Sequence, residues 1–438
     1  MRRPITILAA LSAVLVSATM ALPATVAGAS SPTSLWVSNV APLTSAPGTN
    51  CTHPGFSTVQ SALDAAPTSA TVHVCAGTYT EQLVITQSVK LVSVGSVTVA
   101  LPASPATATT PCDVAIDGGA PGIDEISICT SGTVAISGLT VQTEWNSASC
   151  NDNVYGILAA GGATLKASKV NVVGATNVPL NGCQGGVGIE VGASDATPVQ
   201  TATATLKGVT VSDYQKNGIT VDGAGSSAFI EASTVTGAGP TDQIGQNGIQ
   251  ISDGAKGVVK SGTTSSGNEC DDVAGHCGSN PLTQVQAGGV LFMGAAHGSS
   301  LTDSTVSDND MGVYYVSEAP AEPASAEVTI SKDNFTANRY AQLELDQGFA
   351  SLLSNVISGS GNIGIAVLQY DGQSYAPASK ASKQNISGQG VGVDVLSDQS
   401  PGDLPGTFVI SHSVFLTGNT TAEADNSNNY AIGGVDNS

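Results

Sequence analysis

One tetrapeptide, Gly-(Ile/Val)-x-(Val/Ile) or a close variant, returns down the length of this chain. It stands as Gly156-Ile157-Leu158-Ala159, Gly188-Ile189-Glu190-Val191, Gly218-Ile219-Thr220-Val221 and Gly248-Ile249-Gln250-Ile251. It returns as Gly289-Val290-Leu291-Phe292, Gly312-Val313-Tyr314-Tyr315, Gly364-Ile365-Ala366-Val367 and Gly392-Val393-Asp394-Val395, with Leu343-Glu344-Leu345 as a divergent copy. Most copies are about 23 to 32 residues apart, the period of a solenoid. Each copy is followed by further short apolar alternations, such as Ala228-Phe229-Ile230-Glu231 and Ser233-Thr234-Val235. Alternation with period two, broken by Gly, Asn, Asp and Ser, reads as short strands.

One repeat cannot bury its own inward face, so copies must stack. Stacking aligns Ile157, Ile189, Ile219, Ile249, Val290, Val313, Ile365 and Val393 into one interior column. The glycine ahead of each column residue is expected to provide a sharp turn with φ > 0. A β-sandwich, the competing all-β architecture, would show hairpin turns at varied spacing instead of one tetrapeptide per coil. Upstream, Val59, Ala62, Leu63 and Ala66 have helical spacing that stops at Pro67, which predicts a short helix covering the open end of the stack.

Met1-Arg2-Arg3 and the apolar run from Ile5 to about Met20 read as a secretory signal, with Ala27-Gly28-Ala29 as its cleavage site. Residues 1–29 are thus expected to be removed. Residues 30–50 are Ser/Thr/Pro-rich and read as a linker, 51–420 as the repeat domain and 421–438 as a polar tail. No later stretch is apolar enough to span a membrane, so no membrane insertion is expected. Eight cysteines fit an oxidising compartment, and neighbour pairing is the simplest connectivity: Cys51 with Cys75, Cys112 with Cys129, Cys150 with Cys183, Cys270 with Cys277. Without Arg2 and Arg3, 11 basic residues face 34 acidic ones. Such a surface repels nucleic acid, whose binding rests on cations that neutralise phosphates, and it disfavours bare polyuronates such as pectate unless a divalent cation bridges the two anions.

The segment Phe56-x-Thr58-Val59-Gln60-x-Ala62-Leu63-Asp64-Ala65-Ala66-Pro67, with Gly77-Thr78-Tyr79-Thr80-Glu81 after it, resembles the start of pectin methylesterases. With the repeats, the chain from about Phe56 to Asn419 resembles the right-handed parallel β-helix proteins of the pectin-lyase-like superfamily. The resemblance implies an all-β, single-stranded right-handed parallel β-helix of about 10–12 coils. It also implies an extracellular polysaccharide as partner. The superfamily's catalytic signatures are mostly absent. Neither the Asp-Phe-Ile-Phe-Gly nor the Gly-Arg-Pro-Trp context of the esterases occurs, and Asp271-Asp272 lacks the other elements of the polygalacturonase set. Pectate lyases bind calcium through clustered acids; Asp303, Asp308 and Asp310 form such a cluster, although their sequence also suits a polar turn. Calcium is the one cofactor left open, and a monomer is expected.

If the Ile and Val positions point inward, the variable residue points out. That gives an exposed row of Leu158, Glu190, Thr220, Gln250, Leu291, Tyr314, Glu344, Ala366 and Asp394, about 4.8 Å apart per coil. The candidate substrate-binding residues are Trp145, Glu190, Asp222, Gln250, Tyr314 and Asp394. Glu344 and Asp346 lie two apart on one strand face, within the roughly 5 to 9.5 Å that paired carboxylates need for glycoside hydrolysis. Arg339 precedes them and could neutralise a substrate carboxylate, so Arg339, Glu344 and Asp346 are the candidate catalytic group. Loops ahead of the Gly-Ile strands, 142–154, 174–186, 237–247 and 265–287, pile up on one side, and the Cys150–Cys183 bridge would tie two of them. The reading is a secreted protein that binds or processes polysaccharide on this face. The alternatives are a divergent lyase or hydrolase and a passive adhesion rod.

Overall fold

Each turn of the chain lays down three short strands, one on each of three faces. Ala163–Ser168, Asn171–Asn177 and Val187–Val191 form one coil. Ala202–Lys207, Thr210–Ser212 and Asn217–Asp222 form the next. These faces are called first, second and third. The computed structural model describes residues 33–438 apart from 108–109, 111, 113–121, 147–149, 151–152, 197, 272–286, 317–326, 347, 370–377, 398–405, 416–417, 427–429 and 436–438. The expected signal, residues 1–29, lies outside this set, as does Cys277.

The third face is a 12-stranded sheet running in chain order from Leu83–Ile85 to Thr421–Asn426, and the other two faces merge into a 24-stranded sheet. All pairings within the third face are parallel. The corner from first to second face is one residue in the left-handed region, for example Lys169 (φ 52°), Ala232 (φ 49°) and Lys332 (φ 61°). This is the architecture expected from the repeat.

The Gly-Ile copies pair in register, and their Ile and Val residues from Ile157 to Val393 are fully buried. Burying one such side chain stabilises by about 1.5–3 kcal/mol, so the column is the main source of cohesion between coils.

The glycines of the repeat act differently from the turn role expected of them. None of Gly156, Gly188, Gly218, Gly248, Gly289, Gly312, Gly364 or Gly392 has positive φ. The reason is space. A Cβ at Gly188 would lie 2.3 Å from Val211 Cγ1 and 2.6 Å from the Gly218 carbonyl oxygen. At Gly218 it would meet Val235 Cγ1 at 2.3 Å and the Gly248 oxygen at 2.6 Å. The third face crosses so closely over the second that only hydrogen fits.

Three rungs break the rule, the last of them with Ala422 beside Gly392. Gln342 takes the glycine position beside Gly312, and its amide bonds Asn338 and Gln389 inside the stack. Glu125 takes it beside Gly156. It is fully buried with neither oxygen hydrogen-bonded, and burial pushes its pKa up to about 9.

The helix Val59–Ala65 buries Val59, Ala62 and Leu63 against the first coil. Thr58 caps its start by accepting from the Ser61 N–H (3.2 Å), while the Glu81 carboxylate accepts from the Val59 and Gln60 N–H groups (2.8 and 3.0 Å). Tyr79 is buried and donates to the Cys75 carbonyl (2.8 Å). The Gly77-x-Tyr79-x-Glu81 segment therefore secures the cap.

Two boundaries differ from the compositional reading. Within the supposed linker, Ser34–Val37 forms the outermost strand of the first face, paired to Ser34↔Thr71 through Val37↔Val74 with Leu35 and Val37 buried. Beyond residue 420, Thr421–Asn426 and Tyr430–Val435 continue the third and first faces. Four residues with two inward apolar side chains give too weak a periodic signal among Ser, Thr and Pro. Disulfides join Cys51–Cys75, Cys112–Cys129 and Cys150–Cys183, and Cys270 is also disulfide-bonded.

Candidate functional site

On the outer side of the third face, positions one before the glycine and two after it both point away from the core. Asn217 and Thr220 show this: they are three apart, yet Asn217 Nδ2 donates to Thr220 Oγ1 at 3.1 Å. Two outward rows result. One runs Tyr155, Val187, Asn217, Asn247, Gly288, Met311, Ala341, Ile363; the other is the variable row from Leu158 to Asp394.

The variable row was expected to be exposed, and it is not. Leu158, Glu190, Thr220, Leu291, Glu344, Ala366 and Asp394 are all buried. The rows pack sideways on each other and lie beneath side chains from the coil corners. Toward the start, Tyr155, Leu158, Ala160 and Val187 cluster with Cys112. Toward the end, Met311, Ala341, Ile363, Ala366 and Leu368 cluster with Tyr314, Tyr340 and Leu396.

Between these apolar stretches lies a polar groove of about 530 Å³. Its floor is Glu190, Asn217, Thr220, Asp222, Asn247 and Gln250. Asn153, Gln184 and Gly185 line it from the loops ahead of two strands, and the Cys150–Cys183 bridge joins those loops. Buried Gln215 fixes the second loop, donating to Asn181 Oδ1 and the Cys183 carbonyl, both at 2.8 Å. Tyr155, Val187, Asp195, Lys216, Asp253, Leu291 and Met293 complete the lining.

The floor is one hydrogen-bonded network. Asn247 Nδ2 donates to Asn217 Oδ1 (3.2 Å), and Asn217 Nδ2 to Gln250 Oε1 (3.1 Å). Gln250 Nε2 donates to Ser252 Oγ (3.2 Å), which donates to Asp222 Oδ1 (2.8 Å). The other Asp222 oxygen accepts the Ser194 N–H (2.5 Å). Each amide is thereby oriented before a ligand arrives. Lys216 donates to the Gly245 carbonyl (2.9 Å), and no described carboxylate forms an ion pair with it. Part of its surface still meets solvent, but protein crowds the amine and that desolvation pulls its pKa down to about 8.

Of the expected binding residues, Glu190, Asp222 and Gln250 meet in this groove. Trp145 ends a second-face strand outside its lining, and Asp394 lies seven rungs beyond Glu190. Tyr314 donates to Asp346 Oδ2 at 3.3 Å, and burial pushes the Asp346 pKa up to about 8.

The expected catalytic group is not drawn together. Arg339 pairs with Asp310 (2.7 Å), also donates to the Cys270 carbonyl, and rests 4.5 Å from the Tyr340 ring. These contacts hold it at the start of its strand, whereas Glu344 and Asp346 stand in the middle and at the end of Ala341–Asp346. Asp303 and Asp308 occupy left-handed turns (φ 54° and 56°), the geometry of a polar corner. Among the described residues no group of three or more His, Cys, Asp or Glu is placed to hold a metal. No described helix is long and apolar enough to cross a membrane.

Asn217, Asn247 and Lys216 were not anticipated. Their signal was the asparagine ahead of two successive glycines, Asn217-Gly218 and Asn247-Gly248, overlooked because only one outward position per repeat was counted.

The family described as "Right handed beta helix region" matches residues 188–381. A variant of the periplasmic alginate epimerase AlgG has the same fold, at 10% identity over 84% of this chain and 77% of that one, TM-score 0.50. The Dettilon tailspike protein aligns at 14% identity over 82% of this chain, TM-score 0.48, and the chain spans 62% of its length. Pectate lyase Pel9A aligns at 12% identity over 91% of this chain and 79% of that one, TM-score 0.37. No curated protein matches the sequence. With three faces per coil, an interior column and this match over residues 188–381, the chain folds as a right-handed parallel β-helix.

Proposed function

We propose that the protein is secreted and binds a polysaccharide in the groove over Glu190–Gln250. The observation that carries this is the floor itself: buried, mutually oriented amides, a hydroxyl and carboxylates in a walled cleft. Sugars present hydroxyls that both donate and accept, and a preset network of this kind matches them. The disulfides support an oxidising compartment, and the alginate epimerase of the same fold acts on such a polymer. The test is retention on a panel of insoluble glycans. Asn217→Ala combined with Asn247→Ala should reduce retention at least tenfold while leaving the melting transition in place; equal retention would remove the groove from the reading.

A second reading, a polysaccharide-processing enzyme, is favoured by Lys216. An amine with a pKa near 8 at a groove wall is a competent base near neutral pH. In a lyase it would take the proton beside a uronate carboxylate while the electron pair forms a C=C bond and expels the glycosidic oxygen. Unsaturated product from an acidic glycan, abolished by Lys216→Met, would establish it. Retention without product would leave a binder.

A further inference from the structure

Most cations among the described residues of this acidic chain gather on one face. Of its 13 Lys and Arg residues, Arg2 and Arg3 lie outside the described residues, which leaves 11. Six stand on first-face strands: Lys90, Lys166, Lys207, Lys256, Lys260 and Lys380. Lys169, Lys332 and Lys383 occupy the left-handed corners that end first-face strands. Only Lys216 and Arg339 stand elsewhere. First-face strands carry a single acid, Glu231, and their left-handed corners one more, Asp303, whereas third-face strands bear acids from Asp124 to Asp425 and no lysine or arginine.

The lysines are densest over four consecutive coils. Lys166, Lys207 and Lys256 are exposed there, and Lys260 lies 4.6 Å from the Phe229 ring centroid. Lys207 pairs with Glu231 (3.2 Å), but neither Lys166 nor Lys256 has an acidic partner among the described residues. Among these cations is a shallow depression of about 320 Å³, lined by Thr203, Thr205, Ser227, Phe229, Lys256 and Val258.

We propose that this lysine-bearing face is a second glycan site, taking a linear acidic polysaccharide and separate from the groove on the third face. Charge complementarity supplies the attraction, and spacing selects the class of polymer. Lys207 and Lys260 share a column two rungs apart, about 10 Å, with Glu231 on the rung between them and paired to Lys207. A duplex nucleic acid carries a charge about every 1.7 Å and would stay largely unneutralised against a protein so acidic overall. A polyuronate is more sparsely charged, and its hydroxyls match the threonine and serine of the depression. This proposal stands independently of the groove.

The test measures affinity of the intact protein for polygalacturonate, with a neutral glycan retained by the protein as a second ligand. The variant Lys166→Gln/Lys207→Gln/Lys256→Gln/Lys260→Gln changes exposed or half-exposed side chains, and its melting curve checks the fold. Expected is a loss of polygalacturonate affinity of about tenfold or more. A similar loss should appear in the parent between about 20 and 300 mM salt, where the Debye length falls below the lysine spacing. The lysine variant should leave neutral-glycan retention unchanged. Unchanged polygalacturonate binding in the lysine variant overturns the proposal. So does a parent that binds no polygalacturonate, or one whose only salt-sensitive event is association with a second copy of itself.

Discussion

The third face and the first face are built from the same parallel rungs, yet they meet solvent in opposite ways. On the third face most outward side chains are buried, and loops joined through Cys150–Cys183 wall the part that carries the polar groove. On the first face outward threonines, serines and lysines stand open, and a single left-handed residue turns the corner on to the second face. The comparison teaches that depth in a β-helix is set by corner length, not by the strands. Long corners make a groove; one-residue corners leave a flat face.

The comparison assumes a shared frame, and breaking the frame should have the largest effect. Gly218→Ala places a methyl 2.3 Å from Val235 Cγ1 and should destabilise by about 3 kcal/mol, the upper range for overpacking, read as a lower urea midpoint. Next in size is the groove itself. Gln250→Ala with Asp222→Asn should weaken glycan retention about tenfold, whereas Thr203→Ala with Thr205→Ala on the open face should not alter neutral-glycan retention.

Titration separates the faces further. Burial raises Asp346 on the third face from 3.8 to about 8. Between those values the folded state keeps a proton the unfolded chain has released, so this group's stabilising contribution is complete below about pH 3.8 and declines as pH rises toward 8. Asp346→Asn should flatten that slope in urea midpoints measured from pH 4 to 8. The smallest effect belongs to the open face: Lys207→Gln breaks an exposed pair with Glu231 and should change stability by less than about 1 kcal/mol. A larger change would mean that the first face is not the simple solvated surface described.

Much of this was legible in the chain. The repeat set the register of the third face, helical spacing located the Val59–Ala65 cap, and neighbour pairing of cysteines held for the three described bridges. Burial of the variable row was not legible, because it depends on side chains from coils about 30 residues away and on loops whose path no local pattern encodes. The glycine's role was misread for a related reason. Its constraint is a contact with Val211 or Val235 on another face, invisible until the coils are stacked. The lysines look scattered in sequence, and only the register gathers them.

The three described disulfides whose two ends are both assigned all fall before residue 184. A stack in which each coil touches only its neighbours comes apart like a zip, one rung after another. Pulled or digested, this one should peel from the Tyr430–Val435 end and stall on reaching the stapled coils. The binding floor from Glu190 to Gln250 lies just beyond the last of these staples, so a molecule worn down to the stapled coils would keep its cap and lose its groove.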